Sequence, residues 1–144
     1  MTVVETRTNT RSITPEEGEE VWRELGVSHV TLKMVGCMDW KLTDDPNLVL
    51  RHLGKGAELA GMTVVGQHFY KFTPQGLTAC IFLAESHVDC RITRVYFHGW
   101  PEKTLSVMID VCACRPKKLK ACIDYYLKVF SPSWFRLENN EHKG

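Results

Sequence analysis

The sequence predicts an α+β fold, a two-layer sandwich in which an antiparallel β-sheet carries helices on one face. Helix signals and β-rich runs follow one another in the order helix, strand, helix, a group of strands and a last helix. With 44% hydrophobic and 24% charged residues, the 144-residue chain has the composition of one globular domain with a core. The uncovered face of such a sheet favours a homodimer, which would form a larger αββα assembly.

Three segments carry the start and stop signals of helices: 15–26, 47–60 and 116–130. In the first two, an N-cap side chain, Thr14 or Asp45, stands directly before a proline, which is favoured in the first turn. The third carries apolar residues spaced three and four apart and stops before Ser131 and Pro132. These helices supply the covering layer of the sandwich.

Five β-rich runs supply the sheet: 28–35, 62–72, 77–85, 88–97 and 105–114. The turn from Thr73 to Gly76 joins the second and third runs as a hairpin. Residues 1–13 and 138–144 are polar and lack periodicity, so we expect flexible ends around a single domain over residues 14–137.

Charge and hydropathy exclude several kinds of partner. The 18 Lys and Arg residues balance 17 Asp and Glu residues, so no overall field favours nucleic acid or an anionic membrane. The basic run 115–120 is interpreted as the solvated first turn of a helix. No apolar run is long enough to span a bilayer, and residues 1–12 lack the apolar region of a signal peptide. We therefore expect a soluble, cytoplasmic protein.

Six cysteines occur in the chain: Cys37, Cys80, Cys90, Cys112, Cys114 and Cys122. Without a secretory signal they are expected to be reduced, and most are interpreted as small core residues. No second Cys or His pair stands at zinc-like spacing from Cys112 and Cys114, so no metal site is predicted. Of these two thiols we expect only one to enter a site, on the interpretation that they face opposite sides of a strand.

The tripeptide Glu85-Ser86-His87 ends an apolar strand and places an acid, a hydroxyl and an imidazole together at a sheet edge. Such a group can supply a nucleophile with a base. The alternative interpretation is that these are ordinary polar residues at a strand end. The G-x-S-x-G elbow, the P-loop, the Rossmann fingerprint and H-E-x-x-H are all missing from the sequence.

Five short segments, in this order, resemble the bacterial and archaeal S-adenosylmethionine decarboxylase proenzyme family: 63–66, 72–78, 83–87, 98–102 and 110–114. Taken together, Ala-Glu-Ser-His, which ends at His87, and Trp-Pro-Glu, which ends at Glu102, are specific, whereas either motif alone is a weak signal. The resemblance covers roughly residues 28–130, and up to His87 it keeps the family's spacing.

The resemblance implies a chain that cuts itself between Glu85 and Ser86, into residues 1–85 and 86–144, and converts Ser86 into a pyruvoyl group. Thr78 stands where the family has a serine that assists the cleavage, and His98 stands where it has the histidine of self-processing. Cys114 falls on the catalytic cysteine. A thiol with an ordinary pKa near 8.5 is a reasonable donor of the proton that replaces carbon dioxide.

The resemblance also implies a substrate. Phe72 falls on an aromatic residue that stacks on adenine, and Glu102 falls on the acid that binds the ribose hydroxyls. Both features point to S-adenosylmethionine, whose decarboxylated form donates the aminopropyl group in spermidine biosynthesis. Two alternatives remain at this point: a pyruvoyl-dependent L-ornithine or L-arginine decarboxylase, and an uncleaved regulatory paralogue without catalysis.

The sequence departs from the family pattern in two places. The stretch from Val88 to Phe97 makes the distance between the two histidine motifs about seven residues longer than usual. Counted without a gap, the processing histidine would fall on Arg91; the insertion is placed before His98 because the pattern resumes there. Lys33 stands where the family often has an acidic residue. Both changes bear on the substrate pocket.

Overall fold

The computed structural model describes residues 12–37, 41–72, 76–95, 104–114 and 116–139. The helices are α1 (Pro15–Leu25), α2 (Lys41–Asp44), α3 (Pro46–Leu59) and α4 (Leu119–Phe130). The strands are β1 (Val27–Cys37), β2 (Val64–Phe72), β3 (Gly76–Leu83), β4 (Ser86–Arg94), β5 (Leu105–Cys114) and β6 (Trp134–Asn139). The predicted α+β class and the three long helices are confirmed.

All six strands form one antiparallel sheet in the order β2-β3-β4-β5-β1-β6. The edge strand β6 was not predicted, because its six residues follow the helix-ending Ser131 and Pro132 with a weak polar and apolar alternation. The segment 138–144, predicted as a flexible tail, therefore begins inside a strand, since Glu138 and Asn139 pair with β1.

The helix starts follow local capping chemistry. Thr14 and Glu17 form a reciprocal capping box at α1, and the Asp45 side chain accepts a hydrogen bond from the Leu48 N–H at α3. The last helix begins at Leu119 and not at Pro116 as predicted, with Lys118 at the N-cap and no side-chain cap hydrogen bond.

Helices α3 and α4 pack together against one face of the sheet and bury the apolar core. Tyr126 is fully buried there, and its hydroxyl donates a 2.7 Å hydrogen bond to the Leu53 carbonyl oxygen. Gly56 leaves room for that ring, because a Cβ atom at this position would lie 2.3 Å from it. No helix in the described ranges is long and apolar enough to cross a membrane.

The opposite face of the sheet carries mostly half-buried and exposed side chains, and is named here the open face. Strand alternation places on it His87, Asp89 and Arg91 of β4, Asp110, Cys112 and Cys114 of β5, His29, Thr31 and Lys33 of β1, and Thr78 and Cys80 of β3. A sheet with one apolar face and one polar face fits the predicted two-layer sandwich.

Candidate active site

The Glu85–Ser86 peptide bond lies in a tight turn. Leu83 pairs with Ser86 across the β3–β4 hairpin, so Ala84 and Glu85 alone form the loop. Ser86 has a φ of 154°, a backbone conformation that residues with a Cβ atom rarely adopt. Backbone strain of this kind costs on the order of 1–3 kcal/mol and clusters at functional sites. It falls here on the serine that the sequence predicts to react.

Both ends of Glu85 are held by backbone groups from neighbouring segments. Its carboxylate accepts a 2.8 Å hydrogen bond from the Thr63 N–H. Its carbonyl oxygen accepts a 3.0 Å hydrogen bond from the N–H of Cys114, at the end of β5. This second contact polarises the carbonyl that a hydroxyl of Ser86 would attack, as a donor in an oxyanion hole does.

A line of polar atoms leads away from the Ser86 hydroxyl. Its Oγ lies 3.2 Å from Nδ1 of His87, and Nε2 of His87 lies 3.5 Å from Oδ2 of Asp89. Burial, and then the nearby charge of Asp110, raise the pKa of Asp89, while His87 and His29 lower it. His29 and Thr31 in turn contact the Asp110 carboxylate. The open face next to the cleavage turn is therefore a connected polar cluster.

The structure corrects the expectation for the C-x-C pair. Residues two apart in a strand share a face, so Cys112 and Cys114 both lie on the open face, and the interpretation that they point apart was wrong. Cys114 is exposed, and Cys112 lies between His87 and His29 in the neighbouring strands. Position in the strand therefore leaves both thiols available on that face.

Burial separates the remaining cysteines from those two. It raises the pKa of Cys37 to about 12 and that of Cys122 to about 11, and it raises that of the fully buried Cys90 as well. Burial and then the charge of Asp89 raise the pKa of Cys80. Three of these thiols belong to the core, as the composition led us to expect.

Thr78 and Phe72 lie away from the cleavage turn within the same chain. Thr78 pairs with Arg91, five residues along β3 from the Leu83–Ser86 pair, or about 17 Å at the usual rise of a strand. Phe72 pairs with Gly76, further along in the same direction. We name this part of the open face the distal end, and the part that contains Glu85, Ser86 and Cys114 the cleavage end.

His98 and Glu102 lie outside the described residues. The residues that flank them, Val95 and Thr104, are joined by a 2.9 Å backbone hydrogen bond beyond the end of β4. Along the β4–β5 pair, Ser86 at the cleavage end pairs with Ala113, and Arg94 at the opposite end pairs with Leu105. The hydrogen bond between Val95 and Thr104 therefore lies at the distal end. The chain thus enters and leaves this segment at the end of the sheet that holds Thr78.

The long stretch after the Ser-His motif is mostly strand. β4 continues to Arg94 and pairs with β3 and β5 without a register shift. The described part of the stretch from Val88 to Phe97 therefore forms no loop near Ser86. Arg91, the ungapped position of the processing histidine, lies next to Thr78 at the distal end.

A cavity of about 340 Å³ opens on the open face at the distal end. Its lining includes the cationic side chains of Lys33 and Arg91, the hydroxyl residues Thr93 and Ser106, and the indole of Trp134. Lys33 thus lines a concavity, and its interpretation as a substrate-side change stays a prediction. Among the described residues, no group of three His, Cys, Asp or Glu side chains is arranged to hold a metal ion.

Sequence reasoning missed three contributors to the cleavage end: the amide of Cys114, the amide of Thr63 and the carboxylate of Asp89. Backbone amides carry no sequence signal. Asp89 was available from the sequence, because strand alternation from His87 places it on the same face two residues later.

Together, a two-layer sandwich and a strained Glu–Ser turn with a polarised carbonyl define a candidate self-processing protein. The model of the S-adenosylmethionine decarboxylase family matches residues 28–142. The chain belongs to this family. Its members are pyruvoyl-dependent carboxy-lyases, made as proenzymes that form the pyruvoyl group from a serine by autocleavage.

Curated relatives agree with that assignment. The chain is 38% identical over 86 residues to an S-adenosylmethionine decarboxylase proenzyme of Hydrogenobaculum, covering 58% of each protein. It is 30% identical over 107 residues to the proenzyme of Pyrococcus furiosus, covering 74% of this chain and 70% of that protein. The matched part therefore spans between about half and three quarters of these relatives.

A solved structure has the same fold. The crystal structure of the adenosylmethionine decarboxylase from Aquifex aeolicus aligns with a TM-score of 0.62 and 24% sequence identity. The alignment covers 82% of this chain and 91% of that one. This likeness confirms the α+β sandwich.

Proposed function

We propose that this chain is a self-processing, pyruvoyl-dependent decarboxylase of S-adenosylmethionine, which cuts itself between Glu85 and Ser86. The observation that carries the proposal is the Glu85–Ser86 turn. There, backbone strain on Ser86 and the 3.0 Å hydrogen bond to the Glu85 carbonyl oxygen meet at one peptide bond. Family membership of residues 28–142 supports it.

The cleavage chemistry uses groups that the turn holds in place. The Ser86 Oγ attacks the Glu85 carbonyl carbon, and the amide becomes an ester. Loss of the Ser86 α-proton then expels the ester by β-elimination, and hydrolysis of the resulting dehydroalanine leaves a pyruvoyl group. We assign assistance at the carbonyl to the Thr78 hydroxyl and removal of the α-proton to His98.

The pyruvoyl ketone forms a Schiff base with the substrate amine and withdraws electrons from the bond to the carboxylate. After carbon dioxide leaves, the carbanion takes a proton on carbon, and we assign the donor role to Cys114. Its thiol is exposed at the cleavage end, on the residue whose own amide contacts Glu85. Phe72 and Glu102 are assigned to the adenine and the ribose.

A second protomer is required to combine these assignments. Thr78 and Phe72 lie at the distal end, far from Ser86 of the same chain. We propose a two-fold homodimer through the open face, in which the distal end of one protomer lies over the cleavage end of its partner. Each dimer then holds two composite sites.

Charge on the open face supports this antiparallel arrangement. Asp89 and Asp110 pair in one row across the sheet, and Lys33 and Arg91 lie in the next row, on either side of Met108. A two-fold axis across the middle of β4 brings the acidic row of one protomer over the basic row of the other. The face is therefore self-complementary, as an isologous interface has to be.

The test is an intact-mass measurement on purified protein, followed by an assay of carbon dioxide release. We expect two chains split after Glu85, the second with a blocked amino terminus, and release from S-adenosylmethionine. Ser86→Ala is expected to give one uncut chain without activity. An uncut wild-type protein contradicts the proposal, and a cut protein that decarboxylates only ornithine or arginine contradicts its substrate.

A further inference from the structure

We infer that His87 is the base that takes the hydroxyl proton of Ser86 in the first step of self-cleavage, with Asp89 positioning its ring. This inference rests on the proposed function and adds a residue to it. It rests on the line of contacts Ser86 Oγ to His87 Nδ1 at 3.2 Å, and His87 Nε2 to Asp89 Oδ2 at 3.5 Å.

Neighbouring residues in a regular strand point to opposite faces, so a serine and the next histidine are not expected to share a hydrogen bond. The positive φ of Ser86 interrupts that alternation at the first residue of β4. The contact between the hydroxyl and the imidazole is made at this interruption. The strained conformation therefore brings a base to the nucleophile.

The two nitrogen atoms of His87 have different partners, and this decides the tautomer. A carboxylate accepts hydrogen bonds and does not donate them, so Asp89 favours the proton on Nε2. Nδ1 is then the unprotonated nitrogen that faces the Ser86 hydroxyl. This is the state that a general base for serine needs.

The step balances within the turn. Nδ1 of His87 takes the Oγ proton while the Oγ–carbon bond to Glu85 forms, and the oxyanion accepts the hydrogen bond from the Cys114 N–H. Collapse of this intermediate breaks the Glu85–Ser86 carbon–nitrogen bond, and the imidazolium returns its proton to the Ser86 nitrogen. The products are an ester, a free amine and neutral His87. Removal of the Ser86 α-proton in the later β-elimination stays assigned to His98.

The experiment compares His87→Gln in two backgrounds, the natural Ser86 and Ser86→Cys. The full chain is made by cell-free synthesis, and the fraction cut after Glu85 is followed over time. With serine, we expect His87→Gln to slow cleavage about a hundred-fold, a usual contribution of general base catalysis. A thiol with a pKa near 8.5 ionises without help at pH 8.5, so with Ser86→Cys we expect less than about a five-fold loss.

His52→Gln is the matched control, since this imidazole lies on the helix-covered side against Tyr125 and away from Ser86. We expect it to leave the cleavage rate unchanged. Asp89→Ala is expected to slow cleavage about ten-fold with Ser86, and to have little effect with Ser86→Cys. Circular dichroism of each variant verifies that it is folded.

Hydroxylamine separates the steps, because it cleaves esters and leaves amides intact. The slow His87→Gln precursor is expected to resist hydroxylamine, whereas a precursor blocked at α-proton removal is expected to be split by it. If the wild-type chain is cut and His87→Gln is cut at the same rate, the inference is overturned and the proposed function stays intact. Equal losses in both backgrounds also overturn it, since they indicate a structural role. An uncut wild-type chain refutes the proposed function itself.

Discussion

The cleavage end and the distal end of the open face lie on the same strands and hold different chemistry. At the cleavage end, Ser86 is strained, the Glu85 carbonyl is polarised and the exposed Cys114 is adjacent. The distal end holds the Thr78 hydroxyl, beside a cavity with two cationic side chains. Among the residues that the structure describes, neither end holds every group assigned to the proposed reaction. This separation supports our proposal that each protomer supplies two half-sites and that a dimer joins them.

Complementation between two inactive chains is the strongest test of the proposed composite site. Thr78→Val removes a hydroxyl proposed to hydrogen-bond the developing oxyanion, and loss of one such donor typically slows a reaction about a hundred-fold or more. Ser86→Ala cannot cut at all. When the two are co-expressed, a mixed dimer joins the intact Ser86 of one chain to the intact Thr78 of the other.

We therefore expect the Thr78→Val chain to be cut rapidly in the mixture, while the Ser86→Ala chain stays whole. A mass tag on one chain identifies the cut product by mass spectrometry. Thr78→Ser, which keeps the hydroxyl, is the control and should cut alone at nearly the wild-type rate. If Thr78→Val stays slow in the presence of Ser86→Ala, the site lies within one protomer.

Glu102→Gln tests whether this residue serves substrate binding and not self-cleavage. Removal of one charge-assisted hydrogen bond to a ribose hydroxyl costs on the order of 1.5–3 kcal/mol, roughly ten-fold to over a hundred-fold in kcat/KM. Self-cleavage is expected to proceed as in the wild type, because it involves no nucleoside. Carbon dioxide release from S-adenosylmethionine measures the first quantity, and intact mass measures the second.

The two other possible outcomes for Glu102→Gln would each assign this residue a different role. Slow cleavage together with slow turnover would move Glu102 to the processing machinery. Unchanged kcat/KM would remove it from the ribose and leave the distal cavity, with Lys33 and Arg91, as the place where the substrate is selected.

The sequence was sufficient for the fold and the family, whereas the assigned site residues stay predictions and their separation along the sheet could not be read from the sequence. Thr78 and Ser86 are only eight positions apart in the chain, which suggests proximity. The turn at Ala84 and Glu85 instead pairs Thr78 with Arg91, so that the two residues lie along different parts of the hairpin. The register of the β3–β4 hairpin is set by the length of its turn, and the family motifs contain no information about that length.

The backbone geometry at the cleavage turn also could not be predicted from the sequence. The φ of Ser86 and the hydrogen bond between the Cys114 amide and Glu85 arise from the way β5 ends beside the turn. Short alternating runs such as β6 are similarly hard to predict, since six residues after a helix carry little periodic signal. By contrast, the capped helices α1 and α3 were predicted from side chains that act within their own first turn.

The smallest expected effect is that of removing the side-chain hydrogen bond of Glu85 at the cleavage end. The Glu85 carboxylate accepts a 2.8 Å hydrogen bond from the Thr63 N–H at an exposed position. Its removal in Glu85→Ala is expected to lower the free energy of unfolding by about 1 kcal/mol, a usual net value for one hydrogen bond. Urea unfolding in the uncleavable Ser86→Ala background measures this without interference from processing. Glu58→Ala, at an exposed glutamate on α3, is the matched control and should change stability by less than about 0.5 kcal/mol.

In the Ser86 background, cleavage of Glu85→Ala is expected to slow only about three- to ten-fold, since the carbonyl keeps its contact with the Cys114 amide. A loss as large as that of Thr78→Val would show that the Thr63 contact matters as much to the reaction of the turn as the Thr78 hydroxyl does.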